Sequence, residues 1–379
     1  MFYYFFFFGL ISFFALIKIN SKIVLYSILS LLCVFLCFGY MTGSDWRYYE
    51  LDYVNITTTA FADQVNEIGY YYYNYLFAIC GIGFWPFFIF TKIILFIVSC
   101  HFLIKFSGKG VYYAFLGFYS IIAVFEFIDN PMRNLIAGTI FMYGFKYVLD
   151  KKLVKFTVVC LIASLFHKSI IVLWPFYFLL NKELSEKKVL YTYIIFNLIL
   201  LFSGEYLITF FKAIDYYNFV SSDKAGEQVG AYLLNENIHD APFSIGVVSR
   251  YILFAVIVFM GDSIKSSGKY GVIIFNSSII ALFLLRFATI WPIAMRFSIP
   301  FIVCYAAALG LIIINLKEVK KISYVFFYLC ILAGTLFAQI TTTYKYIPYT
   351  NYLCYLFSKK PSYDDRVNYN LNRTPYKSN

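Results

Sequence analysis

Residues 83–104 read GFWPFFIFTKIILFIVSCHFLI, a stretch of 22 residues with one formally charged side chain, Lys92. An α-helix of about 20 apolar residues is long enough to cross the hydrocarbon core of a bilayer, so this stretch predicts a transmembrane helix. The pattern recurs along the chain of 379 residues, of which 61% are apolar and 13% are charged. An ordinary soluble domain carries about 25% charged residues. The composition therefore excludes a soluble enzyme, a disordered chain and a coiled coil.

Twelve apolar segments predict an all-α, polytopic transmembrane bundle of about 12 spanning helices. Their approximate bounds are 2–17, 23–40, 83–104, 111–127, 132–149, 153–166, 169–180, 189–208, 243–260, 270–288, 293–315 and 323–340. The first segment has no preceding basic region and no cleavage site after it, so it predicts a helix rather than a signal peptide. We divide the chain into a membrane domain, residues 1–358, and a polar basic tail, residues 359–379, which is expected to be flexible.

The lysines predict the orientation. Alternate loops carry 16 Lys and no Arg, and by the positive-inside rule these loops are cytoplasmic. The opposite loops then face the periplasm, and two of them, about 41–82 and 209–242, are long and rich in Tyr, Asn and acidic residues. The side on which the tail lies stays open. The net charge of +11 predicts no nucleic-acid partner, because the Lys residues stand in short clusters between apolar runs.

The arginines follow the opposite rule from the lysines. Five of the seven lie at the outer ends of predicted helices or in the outer loops. The positive-inside tendency and the cost of burying a charge in the bilayer both disfavour these positions unless the arginine has a role there. The planar guanidinium binds phosphate bidentately, so we predict an outward-facing, Arg-lined anion site. Pairing with neighbouring acids or snorkelling to lipid headgroups is the alternative. The two arginines near the C-terminus, Arg366 and Arg373, are expected to tolerate alanine. The five candidates are Arg47, Arg133, Arg250, Arg286 and Arg296.

His167 is the candidate general base. It lies beside Lys168 at the predicted outer apex of a pair of short helices, and a neutral imidazole can accept a proton from an attacking hydroxyl. Lys168 would favour that neutral form by like-charge repulsion. A hydrogen-bonded histidine with a structural role is the alternative.

The segments GSDWRYYELDY (43–53) and NEIGYYYYNYLF (66–77) suit a sugar. A carboxylate, an aromatic face and a cation stand together there, in Asp45, Trp46 and Arg47. A divalent-cation site is the weaker hypothesis, with Asp45, Glu50 and Asp52 as its oxygen ligands. Interfacial anchoring is the alternative role for the Tyr residues. The chain shows no phosphate-binding loop, no nucleophile elbow and no Cys/His metal spacing, so no cofactor and no metal are predicted.

Five segments in one order resemble the bacterial polysaccharide polymerases of the EpsG-type and O-antigen polymerase (Wzy) families. The resemblance spans about residues 40–300. An eleven-residue step from Arg133 to Gly144, and again from Arg250 to Gly261, is similar to an Arg-x10-Gly pattern of the O-antigen polymerases. The segments are GSDWRYY (43–49), NEIGYYYYNYLF (66–77), NPMRNLIAGTIFMYG (130–144), LIASLFHKSIIVLWP (161–175) and AMRFSIPF (294–301).

This resemblance implies a nucleotide-independent glycosyltransferase of the bacterial inner membrane, with its active site facing the periplasm. A growing glycan on undecaprenyl diphosphate would pass to the non-reducing-end hydroxyl of a lipid-linked repeat unit. The arginines would stabilise the departing diphosphate. His167 is the first choice of base, with Asp45 and Glu67 as weaker ones. Membrane lipids and a chain-length co-polymerase are the further partners implied.

Three alternatives share much of this pattern. A lipid-linked oligosaccharide flippase or other transporter would also need buried cations, but it would need no base and tends to show internal repeats. An O-antigen ligase differs only in its acceptor. A membrane acyltransferase would need a catalytic His near a conduit for its acyl donor.

Overall fold

The computed structural model describes residues 1–17, 19, 21–58, 67–129, 131–221, 244–342 and 345–371, and these residues are almost entirely helical. All twelve predicted apolar segments coincide with helices, which confirms the all-α fold class. In chain order the helices are α1 (Phe2–Ile17), α2 (Lys22–Cys37), α3 (Trp46–Asn55), α4 (Ile68–Ile79), α5 (Phe84–Ser107), α6 (Val111–Phe118), α7 (Met132–Tyr143), α8 (Phe145–Leu149), α9 (Leu153–Ser164), α10 (Tyr177–Leu180), α11 (Glu186–Ser221), α12 (Ile245–Phe259), α13 (Gly261–Lys265), α14 (Gly271–Phe287), α15 (Ala294–Asn315), α16 (Glu318–Thr341) and α17 (Tyr363–Leu371).

Five helical segments among the described residues depart from regular α geometry, and the three longest adjoin α6 and α10. Two π-helical segments, Tyr119–Ala123 and Phe125–Asp129, extend α6, and a 3₁₀ segment, Lys168–Phe176, precedes α10. Such departures are frequent at functional sites. Here they bring Asp129 and His167, which directly precedes the 3₁₀ segment, to the ends of helices.

Helix α15 is the centre of the bundle. It packs against α5, α6, α7 and α14, and 94% of its most apolar stretch is buried inside the protein. Residues buried in this way need not face lipid, which explains why α15 tolerates the buried Ser298 within an apolar sequence. Its contact with α6 is close because a Cβ at Gly310 would stand 2.6 Å from the carbonyl oxygen of Gly110.

Four helices among the described residues are long and apolar enough to cross a membrane on length and composition alone. One of these, the continuous stretch 84–123, contains the turn at Gly108 between α5 and α6. The other predicted segments are shorter apolar helices, so the count of about 12 spans stays a prediction. The four stretches are Phe84–Ala123, Glu186–Phe210, Ala294–Asn315 and Lys320–Thr341.

The lysine-bearing loops meet at one end of the bundle. Asn181 donates to the carbonyl of Val148 at 3.4 Å, Asn315 donates to Ser263 at 2.8 Å, and the ammonium of Lys105 lies 4.7 Å from the ring of Tyr270. We call this the lysine end. The loops that it collects are 105–110, 146–155, 181–188, 260–271 and 315–321.

The opposite end contains two helices that the apolar pattern did not indicate, α3 and α4, both within the predicted outer loop 41–82. Residues 345–352 run antiparallel to residues 38–43, with an isolated bridge between Gly39 and Asn351. We call this the arginine end. Helix α11 continues to Ser221, well into the predicted loop 209–242, whose remainder from 222 to 242 lies outside the described residues.

The described part of the predicted flexible tail folds back on the arginine end. Residues 363–371 form α17, and Arg366 on this helix is 8% exposed. Its guanidinium donates to both carboxylate oxygens of Glu50 on α3, one of them at 3.0 Å. The tail is thus ordered up to residue 371 and lies at the same end as α3. Residues 372–379, with Arg373, lie outside the described residues.

Candidate active site

Glu67 is the N-cap residue of α4 and occupies the centre of a network at the arginine end. The entry to α4 is held against the end of α9, where the N–H of Gly69 donates to the carbonyl of Leu165 at 2.8 Å. A Cβ at position 69 would stand 2.8 Å from that same oxygen, so only glycine permits this approach. The contact brings Glu67 to His167, two residues beyond Leu165.

Three donors converge on the Glu67 carboxylate. The Nη1 of Arg133 donates to Oε2 at 2.9 Å, His167 Nδ1 lies 3.1 Å from Oε1, and the backbone N–H of Lys168 donates to Oε1 at 3.2 Å. The side chains of Glu67, Arg133 and His167 are 9%, 15% and 15% exposed. Two of the predicted catalytic residues and one predicted phosphate-binding residue therefore form one network, although 100 residues separate Glu67 from His167.

The charge of this network follows from its geometry. Burial would raise the pKa of Glu67, but the hydrogen bond from His167 and the positive charge of Arg133 outweigh it and hold the pKa at about 2. Glu67 is therefore an ionised acceptor at neutral pH. An imidazole that donates from Nδ1 to a carboxylate keeps Nε2 free to accept a proton. Glu67 thus orients His167 as a base and is itself a poor one.

A second polar cluster lies beside the start of α3. The hydroxyl of Ser44 donates to Asp129 at 2.7 Å, and Lys345 donates to the other oxygen of Asp129 at 3.0 Å. Gly43 permits this contact, because its φ is +83° and a Cβ there would stand 2.0 Å from the carbonyl oxygen of Ile128. The predicted residue Asp45 adjoins this cluster, with its Oδ1 3.1 Å from the hydroxyl of Ser44.

Asp45 differs from Glu67 in its protonation. Burial and the neighbouring negative charge of Asp129 raise the pKa of Asp45 to about 6, against the smaller opposing effects of Arg296 and Lys345. Two carboxyl groups that share one site do not ionise independently, and one of them retains its proton to a higher pH. Asp45 therefore retains its proton to a higher pH than an exposed aspartate does.

Tyr49 on α3 connects the two clusters. Its hydroxyl is in hydrogen-bonding contact with Arg133, and it also interacts electrostatically with Asp45 and Arg296. A second link joins α7 to α15. Pro300 has no N–H to donate to the carbonyl of Arg296 four residues earlier, and the amide of Asn134 donates to that carbonyl at 3.1 Å instead. Arg133 and Arg296 are thereby held on neighbouring helices.

Arg250 and Arg286 form a pair between α11, α12 and α14. Arg286 is 1% exposed and donates from Nε to the amide oxygen of Asn197 at 2.9 Å and from Nη1 to Thr289. Arg250 donates to the carbonyl of Leu285 at 2.9 Å, and the charges of the two arginines interact. Two guanidinium groups this close to each other suit an anion between them.

The remaining predicted residues have other surroundings. Trp46 is fully buried, 5.4 Å from the ring of Trp85, so its indole packs inside the protein and presents no open face to a sugar. Arg47 lies over the Trp46 ring at 5.9 Å, and its carbonyl accepts from Tyr363 at 3.0 Å. Lys168 contributes its backbone N–H to the site, while its side chain is exposed.

The sequence interpretation missed four residues of these clusters: Tyr49, Asp129, Asn134 and Lys345. Asp129 and Asn134 flank the segment containing Arg133, so the sequence held a signal for both. Lys345 has none, because the contact with Asp129 spans 216 residues. Within the described ranges no group of three or more His, Cys, Asp or Glu side chains has the arrangement of a metal site.

Comparison with known proteins identifies the family to which this arrangement belongs. The sequence model of the EpsG family matches residues 22–352, which is most of the chain. The chain belongs to the EpsG family. It is therefore an EpsG-type polysaccharide polymerase of the membrane, as the five ordered segments predicted. None of the curated proteins and none of the solved structures that were compared with this EpsG-family chain matches it.

Proposed function

We propose that this EpsG-family protein lengthens a polysaccharide at the outer face of the bacterial inner membrane. The donor is a growing glycan on undecaprenyl diphosphate, and the acceptor is the non-reducing-end hydroxyl of a lipid-linked repeat unit. The single observation that carries the proposal is the Glu67–His167–Arg133 network, which places an oriented base beside a guanidinium.

The reaction requires one proton transfer and one departing anion. The Nε2 of His167 takes the proton of the acceptor hydroxyl, and the oxygen of that hydroxyl forms a bond to the anomeric carbon of the donor. The bond from that carbon to the diphosphate oxygen breaks, and its electron pair leaves with the diphosphate lipid. Because the leaving group is already good, the main need is for cations that stabilise it. Arg133 contacts the carboxylate that orients the base, Arg296 lies on the neighbouring helix α15, and the pair Arg250 and Arg286 supplies further donors.

The test is chain extension in vitro by the purified protein with purified lipid-linked repeat units. We expect a ladder of products from the wild type. His167→Gln should slow extension by about 10²-fold or more, the usual contribution of a positioned base. Glu67→Gln should lower the rate constant more than it changes KM, because it disturbs the orientation of His167. His101→Gln is the matched control, since His101 is exposed on α5.

Other outcomes would replace the proposal. Extension at the wild-type rate by His167→Gln would make His167 structural. Movement of the lipid-linked unit across the membrane of a vesicle without extension would identify a transporter. Transfer only to lipid A core, and not to another undecaprenyl-linked unit, would identify a ligase.

A further inference from the structure

A cavity of about 580 Å³ opens at the lysine end, far from the Glu67 network. It lies between the start of α11 and the middle of α14, beside the end of α10. Its walls are mainly apolar, and its charged residues stand at one rim. Its lining includes Lys182, Lys188, Thr192, Asn276, Ile280 and Leu284.

The cavity has a polar rim and an apolar depth. Lys182 and Lys188 are exposed at the rim, and Ile280 and Leu284 continue the lining along α14. Asn276 and Leu284 are eight residues apart, so the apolar wall runs about 12 Å along the helix. This arrangement, with cations at the rim and an apolar slot behind them, matches a molecule with an anionic head and a hydrocarbon chain.

The walls of the cavity are fixed by polar contacts. The amide of Asn276 is buried and donates to the carbonyls of Leu179 and Lys182, each at 2.7 Å. Lys265 forms an ion pair with Glu186 and donates to the carbonyl of Leu184 at 3.3 Å. Glu186 does not line the cavity, and its charge is already paired with Lys265. Glu183 is the one acid in the lining, beside Lys182 and Lys188. The rim therefore has an excess of positive charge.

The cavity is also open towards the lipid. Only 22% of the most apolar stretch of α11 is buried inside the protein. This wall of the cavity therefore belongs to a helix that faces outward. Basic pockets between spanning helices at the cytoplasmic side bind anionic lipid headgroups in other membrane proteins. We propose that this cavity binds an anionic glycerophospholipid of the surrounding bilayer, with its phosphate at Lys182 and Lys188 and part of an acyl chain against Ile280 and Leu284.

The proposed lipid site is independent of the polymerase chemistry. Charge complementarity selects the occupant: a zwitterionic phospholipid would bring its own cation to a rim that already has two. A soluble phosphate would leave the apolar wall uncovered, so it would lose most of the area that the lipid buries.

Native mass spectrometry of the purified, delipidated full-length protein tests the proposal. The probes are phosphatidylglycerol and phosphatidylcholine with identical acyl chains. We expect phosphatidylglycerol to bind at least ten-fold more tightly. Lys182→Gln with Lys188→Gln should remove this preference, whereas the control, Lys151→Gln with Lys152→Gln, should retain it, because those exposed lysines belong to another loop of the lysine end.

A second variant tests the apolar part. Thr192→Trp places an indole in the cavity from an exposed position, so it should weaken the binding of phosphatidylglycerol about ten-fold while the thermal unfolding temperature stays near that of the wild type. Equal binding of the two lipids by the wild type would overturn the proposal. So would a full preference in the double Lys182, Lys188 variant, or competition by glycerol phosphate as effective as that by the lipid.

Discussion

At the scale of single residues, two carboxyl groups of the arginine end have pKa values shifted in opposite directions. Burial would raise the pKa of Glu67, but the donors around its carboxylate outweigh burial and lower the pKa to about 2. Burial and the negative charge of Asp129 together raise the pKa of Asp45 to about 6. The sequence named both as weaker candidate bases. The structure distinguishes them, because Glu67 orients His167 whereas only Asp45 exchanges a proton near neutral pH.

The raised pKa of Asp45 predicts a pH dependence of stability. The folded protein holds this proton more tightly than the unfolded chain, whose pKa is near 3.8, so the contribution of Asp45 to stability falls as the pH rises from about 4 to about 6. Asn does not titrate. The unfolding temperature of the wild type minus that of Asp45→Asn should therefore decrease over this window and be constant above it. Thermal unfolding from pH 4 to pH 7 measures this difference.

The control for this measurement is Asp150→Asn, a half-exposed carboxyl at the lysine end that pairs with Lys152. The unfolding temperature of the wild type minus that of Asp150→Asn should not show the same decrease with pH. A pH-independent difference between the wild type and Asp45→Asn would contradict the raised pKa.

At the scale of secondary structure, α17 shows how a polar segment can stabilise the site. Arg366 forms a forked ion pair with Glu50, and its guanidinium carbon lies 5.4 Å from the ring of Trp46 and 5.9 Å from that of Trp85. These contacts fix α3, which carries Asp45 and Tyr49. The burial of Arg366 therefore reverses the expectation that it tolerates alanine.

We predict that Arg366→Lys releases α17. Lysine keeps the charge but cannot bind both oxygens of Glu50 or stack flat on the rings. Removing one partner of a buried ion pair costs roughly 3 kcal/mol or more, and the substitution to lysine, which keeps the charge, should cost less than that. Cleavage of the tail by a protease should become faster and the unfolding temperature should fall, with a smaller loss of chain extension. Asp364→Asn, exposed on the same helix, is the control, and an unchanged cleavage rate in Arg366→Lys would show that Arg366 does not hold the tail.

The helices that the sequence did and did not predict differ in what stabilises them. The twelve apolar segments are fixed by composition, because a long apolar run has few alternatives to a helix in a membrane. Helices α3, α4 and α17 are short and mixed in polarity, and long-range contacts hold them, such as that of Gly69 with Leu165 and that of Arg366 with Glu50. For the same reason the residue types of the site were predictable, but the pairing of Glu67 with His167 was not.

At the scale of the whole molecule, the lysine-bearing loops and the arginines of the candidate site lie at opposite ends. The lysine-bearing loops gather at one end, while Arg133, Arg296 and Arg366 lie at the other with the acids Asp45, Glu50, Glu67 and Asp129. By the positive-inside rule we predict that the lysine end lies in the cytoplasm and the candidate active site outside.

Labelling with a membrane-impermeant maleimide tests this orientation. We use the matched substitutions Lys359→Cys, exposed at the arginine end, and Lys151→Cys, exposed at the lysine end, in a chain whose eight native cysteines are replaced by Ser. In intact cells freed of the outer membrane, Lys359→Cys should react and Lys151→Cys should react only after the inner membrane is broken. The contrast follows because lysine-rich loops resist translocation. The reverse pattern would place His167 and Arg133 in the cytoplasm, where an acceptor presented on the outer face could not reach them.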